Sequence, residues 1–255
     1  MITIIKLTKP FFFISLILLV GYFIFANGLP PKEDILPELL KEPKQVEVIK
    51  PAFTVVRDEK TYTIEPLYSY DIYGLVVSCH HSDSWFDYYH RQWGDSLNKK
   101  DIALIWGNNA RTGIYHALKF WNGSWTAHWK SRRGVGREVW GRFNNHEFSN
   151  NHLLAGDLEI QKKIMTSRKG DQIHMKGYLS KYSHSGFAAP RGTSISRTDT
   201  GNGACETIFV TEFEILKKCN LLWRYIGGFS KLMLCITLVI LIAGFFITPV
   251  DTKNY

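Results

Sequence analysis

The chain has 255 residues, enough for one or two domains, and 45% of them are hydrophobic. Its formal charge is +8, yet Lys6, Lys9, Lys218, Arg224, Lys231 and Lys253 lie in 1–27 and 218–255 against Asp251 alone, which leaves only +3 for the middle. That distribution argues against a uniformly basic nucleic-acid binder and points to membrane flanks, where Lys and Arg are expected.

Residues 1–9 form a short basic N-terminus. Residues 10–27 follow with an uncharged run, Pro10 to Ala26, of bulky apolar side chains. Its seventeen residues sit at the short end of the spanning range, and Ala26, Asn27 and Gly28 make a weak cleavage site. The run reads as an uncleaved signal anchor, with a cleaved signal peptide as its rival. Residues 28–52 hold five of the nine prolines and many charges, which predicts a linker or stalk with one short helix around Ile35–Lys41.

Residues 53–217 read as a soluble domain of α+β class, mainly β. Strands are predicted over Phe53–Val56, Thr61–Tyr70, Ile72–Cys79 and Asp101–Gly107. A hairpin follows, turning at Asn122-Gly123. The basic, glycine-broken run Lys130–Phe143 predicts a loop. Asp157 is placed to cap a helix over Leu158–Ser167, with Leu158, Ile160, Ile164 and Met165 on one apolar side and Gly170 as its stop. Ile173, Met175, Gly177 and Leu179 alternate with His174, Lys176 and Tyr178, the period of a half-buried strand. The last strand spans Glu206–Leu216, with Phe209, Phe213 and Ile215 assigned to one side. Strands, one helix, then two strands is the order of a five-stranded OB-like barrel, and another α+β sheet domain is the alternative.

A basic, aromatic juxtamembrane segment occupies 218–231. Residues 232–250 are a second uncharged run that predicts a membrane helix, followed by a tail over 251–255. Lys6 and Lys9 place the N-terminus in the cytoplasm and the domain outside, whereas Lys217, Lys218, Arg224 and Lys231 favour the opposite. The first helix is given precedence because it inserts first.

Several residues carry candidate chemistry. Cys79, His80, His81, Asp83, Asp87, His90 and Asp95 have zinc-type side chains at spacings that match no closed zinc pattern, so no metal is expected. Cys79 and Cys205 are the pair available for a disulfide in an oxidising compartment, and two free thiols are the other reading. Trp121, Trp125, Trp129 and Trp140, interleaved with Lys130, Arg132, Arg133, Arg137 and Arg142, suit base stacking, although tryptophan on a hairpin more often serves core or interface. Ser149, Asn150, Asn151 and His152 read as a turn fixed by asparagine side chains, with ligand contact as the alternative. In the polar stretch after Pro190, Arg191, Ser194, Arg197 and Asp199 are fit to hold a phosphate or carboxylate. Asp199 is equally fit to neutralise either arginine, and Gly201-Asn202-Gly203 to form a tight turn. No nucleophile, base and oxyanion donor can be assigned together, so neither an enzyme nor a cofactor is expected.

The motifs "SNNHLL" and "RTDTGNGACE" and the stretch "DIALIWG" resemble an uncharacterised family of bacterial membrane-anchored proteins, over about Tyr62 to Leu216. The resemblance implies a bacterial, membrane-tethered setting and carries no functional residue. The expectation is a binding or scaffolding protein of the inner membrane with a periplasmic domain. Its partners would be the lipid bilayer and another membrane or periplasmic protein rather than nucleic acid. The alternative is a membrane-bound enzyme or a single-strand-binding module with a cytoplasmic domain.

Overall fold

The computed structural model describes residues 2–82, 84, 92, 94–186, 189–199 and 205–247. It divides into two compact units, the terminal segments through Gly28 and from Asn220, and the domain Leu29–Cys219.

The first unit is a pair of helices, α1 (Ile2–Phe25) and α4 (Leu221–Ile247). Both are long and apolar enough to cross a membrane. Each begins earlier than its apolar run predicts. The basic residues between Leu221 and Lys231 lie on α4 rather than in a separate segment. The helices approach closely where a small residue permits: a Cβ on Gly227 would stand 2.2 Å from the Tyr22 ring. Phe25 stacks on Trp223 with ring centroids 4.8 Å apart.

The second unit is mixed α+β, mainly β. Its strands are β1 (Lys44–Glu47), β2 (Phe53–Arg57), β3 (Lys60–His81), β4 (Asn98–Ile105), β5 (Leu118–Asn122), β6 (Ala127–Ser131), β7 (Phe148–Leu154), β8 (Gln172–His184) and β9 (Glu206–Lys217). Two helices join them, α2 (Gly107–Thr112) and α3 (Leu158–Thr166). Five strands close into a ring in the order β3-β4-β7-β9-β8 and back to β3. Every pairing in the ring is antiparallel except β7 with β9. Closure removes the exposed edges that an open sheet would present. β1 and β2 add to β3, and β5–β6 form a separate hairpin.

The sequence predicts two strands where β3 is one. Tyr62–Leu75 pairs with β8, and Leu75–His81 pairs with β4. Irregularities between Pro66 and Tyr68, and between Val76 and Ser78, bend the strand so that one segment serves both neighbours. Residues 28–52 are not a stalk. Leu39 is fully buried, and Leu29, Ile35 and Leu36 pack against the same core as Leu75 and Ile105. The Gln172 amide fixes this segment: its Oε1 accepts from Leu36 N at 2.7 Å and its Nε2 donates to Asp34 O at 2.8 Å. Four spaced apolar side chains outweigh the proline-rich composition.

The ring encloses a core that includes Ile72, Ile102, Leu153, Met175, Ile208 and Val210. α3 forms where its sequence predicts, with Asp157 Oδ1 accepting from Glu159 N and Ile160 N at 2.7 and 2.9 Å, but it ends at the extended Ser167 rather than at Gly170. Ile164 buries in the barrel core and Ile160 packs against it, while Leu158 stays exposed. On β8 the predicted alternation holds. On β9 it does not: the pairing with β8 skips Thr211, so Ile208 and Val210 share the core with Phe213, and Phe209 turns to a second cluster with Phe53 and Val55. A bulge reverses side-chain parity, and a single sequence does not announce it.

That bulge depends on Gly177, where a Cβ would lie 2.1 Å from the Phe209 carbonyl oxygen. Gly177→Ala is therefore expected to force β8 and β9 apart and cost about 2 kcal/mol. Urea-dependent proteolysis of the full chain in detergent reads this loss, and a midpoint equal to wild type would refute it.

Candidate binding cleft

"SNNHLL" is not a turn. It is β7, buried along its length between β4 and β9. Its polar side chains are accommodated by tertiary partners. Asn151 Nδ2 donates to Ile102 O at 3.1 Å and to Ser149 Oγ at 2.8 Å, a structural role. Asn150 faces the other way. It donates to Trp125 O at 3.2 Å and to Cys205 Sγ at 3.5 Å, and accepts from Asn122 Nδ2 at 3.0 Å. It thereby ties the β5–β6 hairpin to the start of β9.

His152 stands opposite Asp101 in the β4–β7 register, with Nδ1 2.9 Å from Asp101 Oδ2 and both side chains buried. Burial pushes the Asp101 carboxyl up. The charge and bonding of His152, aided by Arg191 and Asn98, outweigh that and hold it below the usual carboxylate range. On the other side of β7, the parallel register sets His152 against Thr207.

The polar stretch after Pro190 is an ordered loop over its described part. Tyr182 and Arg191 exchange backbone hydrogen bonds of 3.0 and 2.8 Å, and Ser194 N donates to Cys205 O at 2.9 Å. Thr207 N donates to Thr193 Oγ1, and Thr207 Oγ1 to Gly192 O. These bonds lay residues 191–194 beside the beginning of β9.

The result is a cleft of about 410 Å³ lined by Trp125, Thr126, His152, Arg191, Cys205 and neighbouring threonines. The Arg191 guanidinium lies 4.8 Å from the Trp125 ring centroid, and its Nη1 donates to Tyr182 Oη at 3.3 Å. Tyr182 in turn donates to Asp95 Oδ2 at 2.5 Å. Burial pushes the Cys205 thiol up, and the Asn150 amide and Arg191 oppose this only in part. A neutral thiol is a poor nucleophile, so its chemistry here is that of a small polarizable wall.

The residues predicted for ligand contact are thus divided, and Cys205, predicted only as one of a thiol pair, joins them. Arg191, His152 and Cys205 line the cleft, and Asn150 braces it. Arg197 sits elsewhere: its guanidinium lies 4.8 Å from the Trp106 ring, and Nη1 donates to Tyr70 Oη at 2.8 Å and Glu206 Oε1 at 3.2 Å. Its guanidinium is hydrogen-bonded to Glu206, not to Asp199. Asp199 accepts from Ser194 Oγ at 2.6 Å, and both shape the loop. Gly201, Asn202 and Gly203 lie outside the described residues, as do Asp83, Asp87 and His90. Asp95 holds the turn before β4 by accepting from Leu97 N and Asn98 N. Among the described residues no group of three metal-type side chains converges.

Cys79 and Cys205 are both free thiols. Cys79 lies opposite Ile102 on β3 beside the barrel core, whereas Cys205 faces the cleft. Sequence reasoning missed Asp101 and left Trp125 among four equivalent tryptophans. The β4–β7 register that brings Asp101 to His152 leaves no mark in local sequence. The hairpin turn is Gly123–Thr126, with Gly123 N donating to Thr126 O at 2.8 Å, two residues longer than the Asn-Gly pair predicts. That extra length carries Trp125 and Thr126 to the cleft.

No protein-family model, curated protein or solved structure matches the chain.

Proposed function

We propose that this protein is a membrane-anchored binding module, held at the periplasmic face of a bacterial inner membrane by α1 and α4, and that its barrel is of the OB type. The topology supports the barrel reading. A long bent first strand is shared by two neighbours, a helix lies between the third and fourth ring strands, and the third pairs in parallel with the fifth. Such barrels take ligands on the face of their second and third strands, beside the loop between the fourth and fifth. The cleft occupies the corresponding place, and this coincidence carries the proposal. Of its lining, His152 comes from the third strand, where it pairs with the buried Asp101 of the second, and Arg191 from the loop. A guanidinium over an indole, rimmed by hydroxyls, suits an anionic or aromatic group of a partner.

The test is a photo-crosslinker at Thr126 in cells. A discrete adduct with a periplasmic partner that is lost in Arg191→Ala, at normal protein level, is the expected result. An adduct indifferent to Arg191, or one formed with a cytoplasmic protein, would overturn the reading.

A further inference from the structure

The outward face of the β5–β6 hairpin has a composition that the fold does not require. The inner face carries Leu118, Phe120 and Trp129, which pack on Phe143 and Phe148; Trp129 and Phe143 have centroids 4.7 Å apart. Strand alternation puts Lys119, Trp121, His128 and Lys130 on the opposite face, and all four are exposed. Lys119 and Lys130 are direct cross-strand partners, an arrangement that costs a hairpin stability. Among the described residues no carboxylate forms an ion pair with either lysine. Trp121 stacks on His128 with centroids 5.4 Å apart, and Lys130 Nζ lies 5.8 Å from its ring. From Leu118 to Phe143 the sequence holds Lys119, Lys130, Arg132, Arg133, Arg137 and Arg142 against Glu138 alone. Trp140 packs near Trp129 and is 60% exposed.

We infer that this face docks on the anionic headgroups of the bilayer in which the chain is anchored. Paired lysines match phosphate charge, and an exposed indole with a polar N–H is suited to the headgroup layer. Both ends of the domain continue into helices able to span a membrane, so the hairpin meets headgroups at high effective concentration. A lipid surface is therefore favoured over single-stranded nucleic acid, which would use the same lysines and ring. The inference rests on the membrane-anchored reading and is independent of the cleft.

The experiment uses the full chain in lipid nanodiscs of phosphatidylcholine, with and without phosphatidylglycerol, carrying brominated acyl chains. The emission difference between wild type and Trp121→Phe isolates Trp121. This component is expected to be quenched several-fold more in the anionic discs, and the excess to vanish at high salt and in the double variant Lys119→Glu/Lys130→Glu. That variant keeps a like-charge pair, so its fold is strained no more than that of wild type. Equal quenching in both discs, or quenching indifferent to charge reversal, would overturn the inference. So would lysine-dependent protection of Trp121 by a single-stranded oligonucleotide without lipid quenching. Failure of the chain to enter the discs at all would count against the membrane-anchored reading, and the docking inference would fall with it.

Discussion

Lys100→Met is expected to cost about 3–4 kcal/mol of stability. Lys100 is a charged side chain with 1% of its surface exposed, on β4 within the barrel. Its Nζ donates to the carbonyls of Ile164 and Met165 at 3.2 Å and of Ser167 at 2.5 Å. These belong to the last turn of α3, where helix carbonyls lack intrahelical partners and the helix dipole is negative. One ammonium therefore closes the helix and joins it to the barrel wall. Methionine keeps the volume and removes the donors. Ile164 O retains Ser167 as a partner, through both its N–H at 3.2 Å and its hydroxyl at 2.6 Å, but Met165 and Ser167 lose this donor. Lys163→Met, exposed on the same helix, should stay within about 0.5 kcal/mol of wild type. Urea-dependent proteolysis of the full chain in detergent measures both. A loss below about 1 kcal/mol in Lys100→Met would show that water reaches these carbonyls and that the lysine is not their cap.

Lys100 also shows what single-sequence reading misses. A lysine in "NKKDIALI" looks like the polar lead-in to a strand, and nothing local says that its head reaches a helix end sixty residues on. The elements that were legible are those whose signal is local. The Asp157 cap, the period-two pattern of Ile173–Leu179 and the two apolar runs need no distant partner to be read. "SNNHLL" reads as a turn because asparagines favour turns through their own backbone, and only a neighbouring strand satisfies them inside a sheet. The proline-rich segment misleads for the converse reason. Its composition resembles a linker, while Leu39 and the Gln172 clamp that hold it down are tertiary facts. The parity of β9 was lost at Thr211, where one skipped residue moved Phe209 out of the barrel core. For the candidate cleft, residue types were legible and partnership was not. Arg191 and Arg197 look equivalent six residues apart, yet one lines an open cleft and the other is absorbed by Tyr70, Trp106 and Glu206.

Burial of Glu206 in that contact predicts a pH effect near neutrality. Glu206 has 5% of its surface exposed, and its Oε2 has no hydrogen-bond partner among the described residues. Burial pushes its carboxyl from the ordinary 4.5 up to about 8, with Arg197 opposing and Asp199 adding to the shift. The folded chain thus holds a proton that the unfolded chain releases. Below about pH 4.5 both states are protonated and the contribution to stability is complete. Between there and about pH 8 the unfolded state binds fewer protons, so stability falls as pH rises; above pH 8 the contribution is lost. Wild type should lose about 3–4 kcal/mol between roughly pH 5 and pH 8, at up to about 1.4 kcal/mol per pH unit. Glu206→Gln preserves shape and cannot ionise, so its stability should be nearly flat over that range and exceed wild type at the alkaline end. Asp101 acts in a separate window: its lowered carboxyl pKa contributes stability above the acid range that is lost as pH falls. An acid limb shared by both proteins, with the alkaline limb present only in wild type, would assign that limb to Glu206. An unchanged slope in Glu206→Gln would show that the carboxyl is ionised in the fold and that Arg197 outweighs its burial.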